Sequence, residues 1–154
     1  MKLPKDLTHP LTTIIEQCKY LRTVEIFPVF GNLLEFHAGG GKVLDDPHAI
    51  AGIEGVQSIE VPSKSARYSF KFVNFISYSV TDEMFINTAT DEIFEGGRLR
   101  SYSKSHFLDY VSAATWATAN FPGNLLHYQL NTLDHTIDVV TAEPPELMMV
   151  QSGN

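Results

Sequence analysis

The stretch YSFKFVNFISYSV, residues Tyr68–Val80, decides the fold of this chain. Its even-numbered positions are apolar except for Asn74, and its odd-numbered positions are mostly polar toward both ends. Alternation with period two is typical of a half-buried β-strand. A straight strand of this length would measure about 40 Å, which is longer than most strands in globular proteins. We therefore predict a strand that bends or bulges at Asn74, with its side-chain amide hydrogen-bonded to backbone groups.

Helical spacing appears on both sides of this strand. Apolar residues recur at i, i+3 and i+4 from Leu11 to Leu21, which predicts a helix over about residues 8–22. A run of serines before and Pro122-Gly123 after a second periodic segment predict a helix over about residues 104–120. Because strands are grouped between the helices, we predict an α+β fold. It would have a mostly antiparallel, twisted β-sheet of about 6–8 strands, with the two helices packed on it.

The C-terminal segment has the pattern of a β-hairpin. With Thr132-Leu133 as a two-residue turn, Tyr128 is opposite Ile137 and His127 is opposite Asp138. This register leaves one face mostly apolar and the other polar, as expected for a sheet covered on one side. After Pro144-Pro145, residues 147–154 either extend the sheet or form a frayed tail.

Length and composition predict one globular domain over residues 1–154. The chain is 44% apolar, which is too much for intrinsic disorder, and its single Cys excludes an internal disulfide. The sequence lacks an apolar run long enough for a membrane-spanning helix and an apolar signal-peptide core behind Met1. We therefore expect a cytoplasmic protein.

The formal net charge of −7 comes from the second half of the chain. Residues 1–77 are neutral overall, and no Lys or Arg follows Lys104. An acidic surface repels phosphate groups, so we expect neither nucleic-acid nor membrane binding. It would attract a basic protein partner, although net charge also serves solubility alone.

Several His and Asp residues are candidates for a site on the C-terminal hairpin. Imidazole and carboxylate groups within reach of each other perform acid–base catalysis or bind metals. The candidate catalytic residues are His127, Asp138 and His106, and the candidate metal ligands are His127, His135 and Asp138. A polar cross-strand pair on a solvated sheet face needs no function, and we favour that interpretation. We predict no cofactor.

Two features are candidates for protein contact. The first is a cluster of four carboxylates on a predicted hairpin, whose strands would include 84–86 and 93–94: Glu83, Asp91, Glu92 and Glu95. It is a carboxylate pair for acid–base catalysis, a patch for a basic partner, or an ordinary solvated face, which we favour over the catalytic pair. The second is Trp116, the only tryptophan, which would be a binding anchor if exposed. We favour a packed Trp116.

No stretch of the sequence has the residue spacing that a known catalytic motif requires. The glycine run before Lys42 lacks the spacing of a phosphate-binding loop, and neither a His-Glu-x-x-His nor a Gly-x-Ser-x-Gly pattern occurs. We therefore predict a non-enzymatic protein-binding module, of an inhibitor or immunity type. The alternative is a small enzyme, or a ligand- or metal-binding domain, that uses the His/Asp site on the hairpin. A third interpretation is a homo-oligomer whose edge strands pair.

Overall fold

The computed structural model describes residues 7–45 and 47–150. Two α-helices are present in this part of the chain: α1 (Pro10–Glu16) and α2 (His106–Ala114). The strands are β1 (Leu21–Ile26), β2 (Leu33–Gly40), β3 (Lys42–Val43), β4 (His48–Ile50), β5 (Ile53–Val56), β6 (Ile59–Glu60), β7 (Arg67–Val73), β8 (Phe75–Asp82), β9 (Ile93–Gly96), β10 (Leu99–Lys104), β11 (Leu126–Asn131), β12 (His135–Thr141) and β13 (Glu146–Val150). The pairs between these strands are antiparallel, which confirms the predicted α+β class.

The described strands form two main sheets rather than one. The first has the order β1-β2-β7-β13 and the second the order β8-β12-β11-β10-β9, while β3-β6 and β4-β5 are short two-stranded ladders. The apolar faces of both main sheets contribute to one buried cluster. Within it, the ring centroids of Phe72 on β7 and Tyr128 on β11 are 6.1 Å apart. Burial of these faces supplies the main driving force for the fold.

The long predicted strand passes from one sheet to the other at Asn74. β7 ends at Val73 in the first sheet and β8 begins at Phe75 in the second, so the predicted bend is confirmed. Asn74 has a φ of 59°, in the left-handed region that Asn tolerates better than most residues. The predicted backbone partners of its side chain are wrong. Its amide instead accepts from Nδ2 of Asn32 and donates to Oε1 of Glu143.

Both helices are shorter than predicted. α1 ends at Glu16, because Leu21 is fully buried as the first residue of β1 rather than on a helical face. α2 begins at the predicted Ser cap, Ser105, but ends at Ala114. The hydroxyl of Thr115 donates to the Val111 carbonyl at 2.8 Å, and the chain continues in extended conformation. No described helix has the length and apolar character needed to cross a membrane.

The C-terminal hairpin forms with a register two residues away from the prediction. Tyr128 is opposite Val139 and His127 is opposite Val140, because the chain reverses through four residues rather than two. An even shift leaves every side chain on its predicted face. The segment after Pro145 does not fray at its start. Glu146–Val150 pairs with β7 and buries Leu147, while residues 151–154 lie outside the described part of the chain.

Candidate functional site

A cleft of about 370 Å³ lies on the face of the five-stranded sheet that points away from the common core. The sheet forms its floor, the start of α2 forms one wall, and the segment after β8 forms the other. That segment begins with a short 3-10 turn, Glu83–Phe85, where a strand was predicted. The side chains lining the cleft are Thr81, Phe85, Ile86, Asn87, Ala89, Glu92, His106, Phe107, His127, Gln129, Thr136 and Asp138. The three predicted catalytic candidates therefore converge.

His127 on β11 is the centre of a buried hydrogen-bond network. It is 1% exposed, and both ring nitrogens have partners. Nδ1 lies 2.7 Å from Oγ of Ser105, and Nε2 lies 2.8 Å from Oδ1 of Asp138. Oγ of Ser105 also accepts from the backbone N–H of Leu108 at 3.0 Å, as the cap of α2. In the tautomer that carries the proton on Nε2, the Ser105 hydroxyl donates to Nδ1 and Nε2 donates to Asp138.

The network continues along the sheet through Gln129 and Tyr102. Nε2 of Gln129 donates to Oδ1 of Asp138 at 2.9 Å, and the Tyr102 hydroxyl donates to Oε1 of Gln129 at 2.9 Å. The ring of Tyr102 also stacks on His127, with centroids 4.5 Å apart. Burial raises the pKa of Tyr102, and Arg100 opposes that shift. Stacking and hydrogen bonds together fix His127 in one orientation.

Ser105, His127 and Asp138 have the residue types of a nucleophilic triad but not its accessibility. Ser105 is fully buried, and its oxygen is already engaged as a helix cap. An attacking nucleophile must reach a substrate and must be able to lose its proton to the base. The group that does face the cleft is Asp138, whose side chain is 14% exposed. The arrangement therefore presents a fixed carboxylate rather than a reactive hydroxyl.

The three predicted metal ligands do not converge. His135 and Asp138 are three residues apart on β12, so they point to opposite faces of the sheet. Nδ1 of His135 is buried without a hydrogen-bond partner, away from the cleft. In residues 7–45 and 47–150, no group of three or more His, Cys, Asp or Glu side chains is placed to hold a metal ion.

His106 lies at the rim of the cleft and pairs with the acidic segment, not with His127. Its Nε2 lies 2.9 Å from both carboxylate oxygens of Asp91, and its backbone N–H donates to Oε2 of Glu92 at 3.2 Å. The hydrogen bond that His106 donates to Asp91 raises the pKa of His106 and lowers the pKa of Asp91. These groups are exposed, so the pair adds little to stability.

The segment from Asp82 to Phe94 forms an exposed surface that we call the acidic edge. It combines large apolar side chains with carboxylates: Asp82, Glu83, Met84, Phe85, Ile86, Asp91, Glu92, Ile93 and Phe94. Met84 is 79% exposed and Ile93 is 58% exposed. β9 lies at the end of its sheet, next to β10. Of the four predicted carboxylates, Glu95 differs, because its Oε2 is buried without a partner.

Trp116 is exposed, so the favoured prediction of a packed tryptophan is wrong. It is 99% exposed in the segment that follows α2, and Phe121 nearby is 78% exposed. Both side chains line a groove of about 620 Å³ together with Phe75 and Ile76 at the start of β8. Phe75 and Ile76 begin β8, whereas the acidic edge begins at the other end of that strand, at Asp82, and none of its residues lines the groove.

Sequence reasoning missed Ser105, Gln129 and Tyr102 as partners of the His/Asp pair. Gln129 is detectable in hindsight, because it alternates with His127 on one face of a predicted strand. Tyr102 is directly opposite His127 in the pairing of β10 with β11, so this contact can be predicted only when the strand order is known.

Comparisons with protein-family models, with curated proteins and with solved structures each gave no match. The functional argument therefore depends on the residues themselves.

Proposed function

We propose that this protein is a non-enzymatic protein-binding module that docks a basic partner through the acidic edge. The supporting observation is the exposure of Met84, Phe85 and Ile93 beside carboxylates in the segment that runs from the end of β8 into β9. Exposed apolar side chains rimmed by polar groups are typical of interaction sites. The apolar residues would form the core of the interface, and the carboxylates would steer and orient the partner.

Charge favours a partner rich in Lys or Arg. Asp82, Glu83, Asp91 and Glu92 lie within the acidic edge, and no Lys or Arg occurs between Lys71 and Arg98. An inhibitor or immunity-type protein that masks a basic surface would use such an arrangement. The buried Ser105 and the fully engaged His127 support a binding role over a catalytic one.

The test compares two pairs of exposed apolar residues on the same protein. The variant Met84→Ser/Ile93→Thr removes apolar contact from the acidic edge without changing a residue that lines the cleft. The control Trp116→Ser/Phe121→Ser removes a comparable exposed pair from the other groove. Each immobilised protein captures partners from a lysate of the native organism. The enriched protein is then purified, and its dissociation constant is measured at low and high salt.

We expect the purified partner to be basic and to bind the control as tightly as the parent protein. Loss of two apolar anchors should weaken binding by about tenfold or more, since each such anchor contributes on the order of 1–2 kcal/mol. Binding should also weaken as salt rises. The proposal is overturned if no protein is enriched, if the two double variants lose binding equally, or if binding does not depend on salt.

A further inference from the structure

We infer that the cleft between α2 and segment 85–92 binds a small cationic group, an alkylammonium or a guanidinium. This goes beyond the proposed docking function, because the ligand is a single charged group held inside the molecule. The carboxylate of Asp138 would receive it, with Glu92 completing the negative surroundings. The inference follows from charge, hydrogen bonding and shape, which are independent features of the same cleft.

The charge of the lining favours a cation. Asp138 and Glu92 are among the side chains that line the cleft, and none of the lining side chains is Lys or Arg. His106 at the rim is already paired with Asp91. Both ring nitrogens of His127 are engaged, one with Ser105 and one with Asp138, so the charge that the lining offers a ligand is that of the two carboxylates. A cation entering the cleft would neutralise that charge.

The hydrogen bonds of Asp138 leave one oxygen for a ligand. Oδ1 accepts from Nε2 of His127 at 2.8 Å and from Nε2 of Gln129 at 2.9 Å. Oδ2 has no hydrogen-bond partner in the described part of the chain, and Asp138 lines the cleft. The carboxylate is thus held in place before a ligand arrives. Charge-assisted hydrogen bonds to a mostly buried carboxylate are stronger than neutral ones.

The walls favour a short alkyl chain and disfavour an anion. Phe85, Ile86 and Phe107 provide apolar surface next to the carboxylate. The volume of about 370 Å³ is near the lower limit of ligand pockets, so a small amine fits better than a large molecule. Two of the first N–H groups of α2, those of His106 and Leu108, would attract an anion but already donate to Glu92 and Ser105.

The test uses four small probes that share an alkyl chain and differ in charge: n-butylammonium, n-butylguanidinium, n-butanol and butyrate. Backbone amide shifts of ¹⁵N-labelled protein are followed for Phe107, Gln129 and Asp138 during titration. Asp138→Asn keeps the shape and the acceptor oxygen but removes the charge. Ala89→Phe fills the cleft without altering the network. The control Asp109→Asn removes an exposed carboxylate of α2 that does not line the cleft.

We expect the two cations to bind with millimolar affinity, which is reasonable for ligands of this size. Asp138→Asn should lower their affinity by about tenfold or more, because the hydrogen bond to the ligand loses its charge on the acceptor side. Ala89→Phe should abolish binding, and Asp109→Asn should leave it unchanged. The inference is overturned if the cations shift no cleft amides, if butanol or butyrate binds equally well, or if Asp138→Asn binds like the parent protein.

A separate comparison identifies the source of the cation. A capped lysine peptide is titrated beside n-butylammonium, and both are repeated with Met84→Ser/Ile93→Thr. Free amines that bind alone indicate a small-molecule ligand. Peptide binding that requires the intact acidic edge indicates a side chain of the docked partner. Because Met84 and Ile93 do not line the cleft and Asp138 is outside the acidic edge, the two sets of variants distinguish a failure of the docking proposal from a failure of amine binding.

Discussion

Nε2 of His127 lies 2.8 Å from Oδ1 of Asp138, although the two residues are not opposite each other in the hairpin. His127 pairs with Val140, and Asp138 pairs with Gln129. The contact is diagonal, between residues on the same face of neighbouring strands. The predicted register placed them in direct opposition, and the observed one differs by two residues. Because side chains alternate with period two, the predicted contact survives the shift.

Replacing His127 should cost more stability than replacing an exposed histidine. His127→Leu removes one hydrogen bond each from Ser105 and Asp138 inside a buried network. A lost hydrogen bond costs about 0.5–1.5 kcal/mol, or roughly 1.5–3 kcal/mol when one partner is charged. We expect the free energy of unfolding, measured in urea, to fall by about 2–4 kcal/mol.

His106→Leu is the matched control for this experiment. His106 is a solvent-exposed member of an ion pair, so its loss should leave the free energy of unfolding close to that of the parent protein. Equal losses in the two variants would contradict the buried network as a source of stability.

The period-two pattern from Tyr68 to Val80 is too long for one strand, and on that ground the sequence predicted a bend or bulge at Asn74. It did not reveal that the two halves belong to different sheets. Local alternation reports which face of a strand is buried, while the identity of the neighbouring strands depends on pairing between distant segments. β7 pairs with β2 and β13, and β8 pairs with β12, so the sheet change is decided by residues far away in the sequence.

Substitution of Asn74 tests how much this residue stabilises the passage of the chain from the first sheet to the second. Asn74→Ala loses the side-chain bonds to Asn32 and Glu143 and must hold a left-handed φ of 59°. A left-handed conformation costs a residue with a Cβ roughly 1–2 kcal/mol, and each lost hydrogen bond adds about 1 kcal/mol. Asn74→Gly loses the bonds but tolerates the conformation. We expect stability in urea to decrease in the order Asn, Gly, Ala, and the reverse order of Gly and Ala would contradict the argument.

Helix lengths and the position of Trp116 were not predictable from periodicity. Apolar spacing continued past Glu16 and past Ala114, but Leu21 is buried as a strand residue and Thr115 leaves the helix. Tertiary burial overrides a weak local preference in both places. Trp116 lies beyond the true end of α2, so the helical face assigned to it does not exist.

Tryptophan fluorescence can test whether the side chain of Trp116 is exposed. Because it is the only tryptophan, the indole fluorescence of the protein comes from one site. We expect emission typical of indole in water and efficient quenching by acrylamide in the folded protein. Trp116→Ser should change the free energy of unfolding by no more than about 0.5 kcal/mol, as for other exposed positions. Blue-shifted emission with weak quenching would show that the side chain is covered.

Asp134 joins the two sheets and should make stability depend on pH. It lies between β11 and β12, and its carboxylate accepts from Nε of Arg22 on β1 at 3.1 Å and from the backbone N–H of Thr23 at 3.3 Å. Burial alone would raise the pKa of Asp134. The hydrogen bond and charge of Arg22 outweigh that effect, so its pKa is lowered in the folded protein.

A carboxylate whose pKa is lower in the folded than in the unfolded state stabilises the fold when it is ionised in both. The contribution is complete above the unfolded pKa of about 3.9 and disappears as pH falls through the lower, folded value. At neutral pH, Asp134→Asn should therefore be less stable than the parent protein in urea. Below about pH 4 the two unfolding free energies should converge. The control Glu54→Gln, an exposed carboxylate of β5, should follow the parent protein throughout. The contrary result is that the free energies of unfolding of Asp134→Asn and the parent protein differ by the same amount down to acidic pH. That result would show that the charge of the Asp134 carboxylate does not stabilise the contact between the sheets.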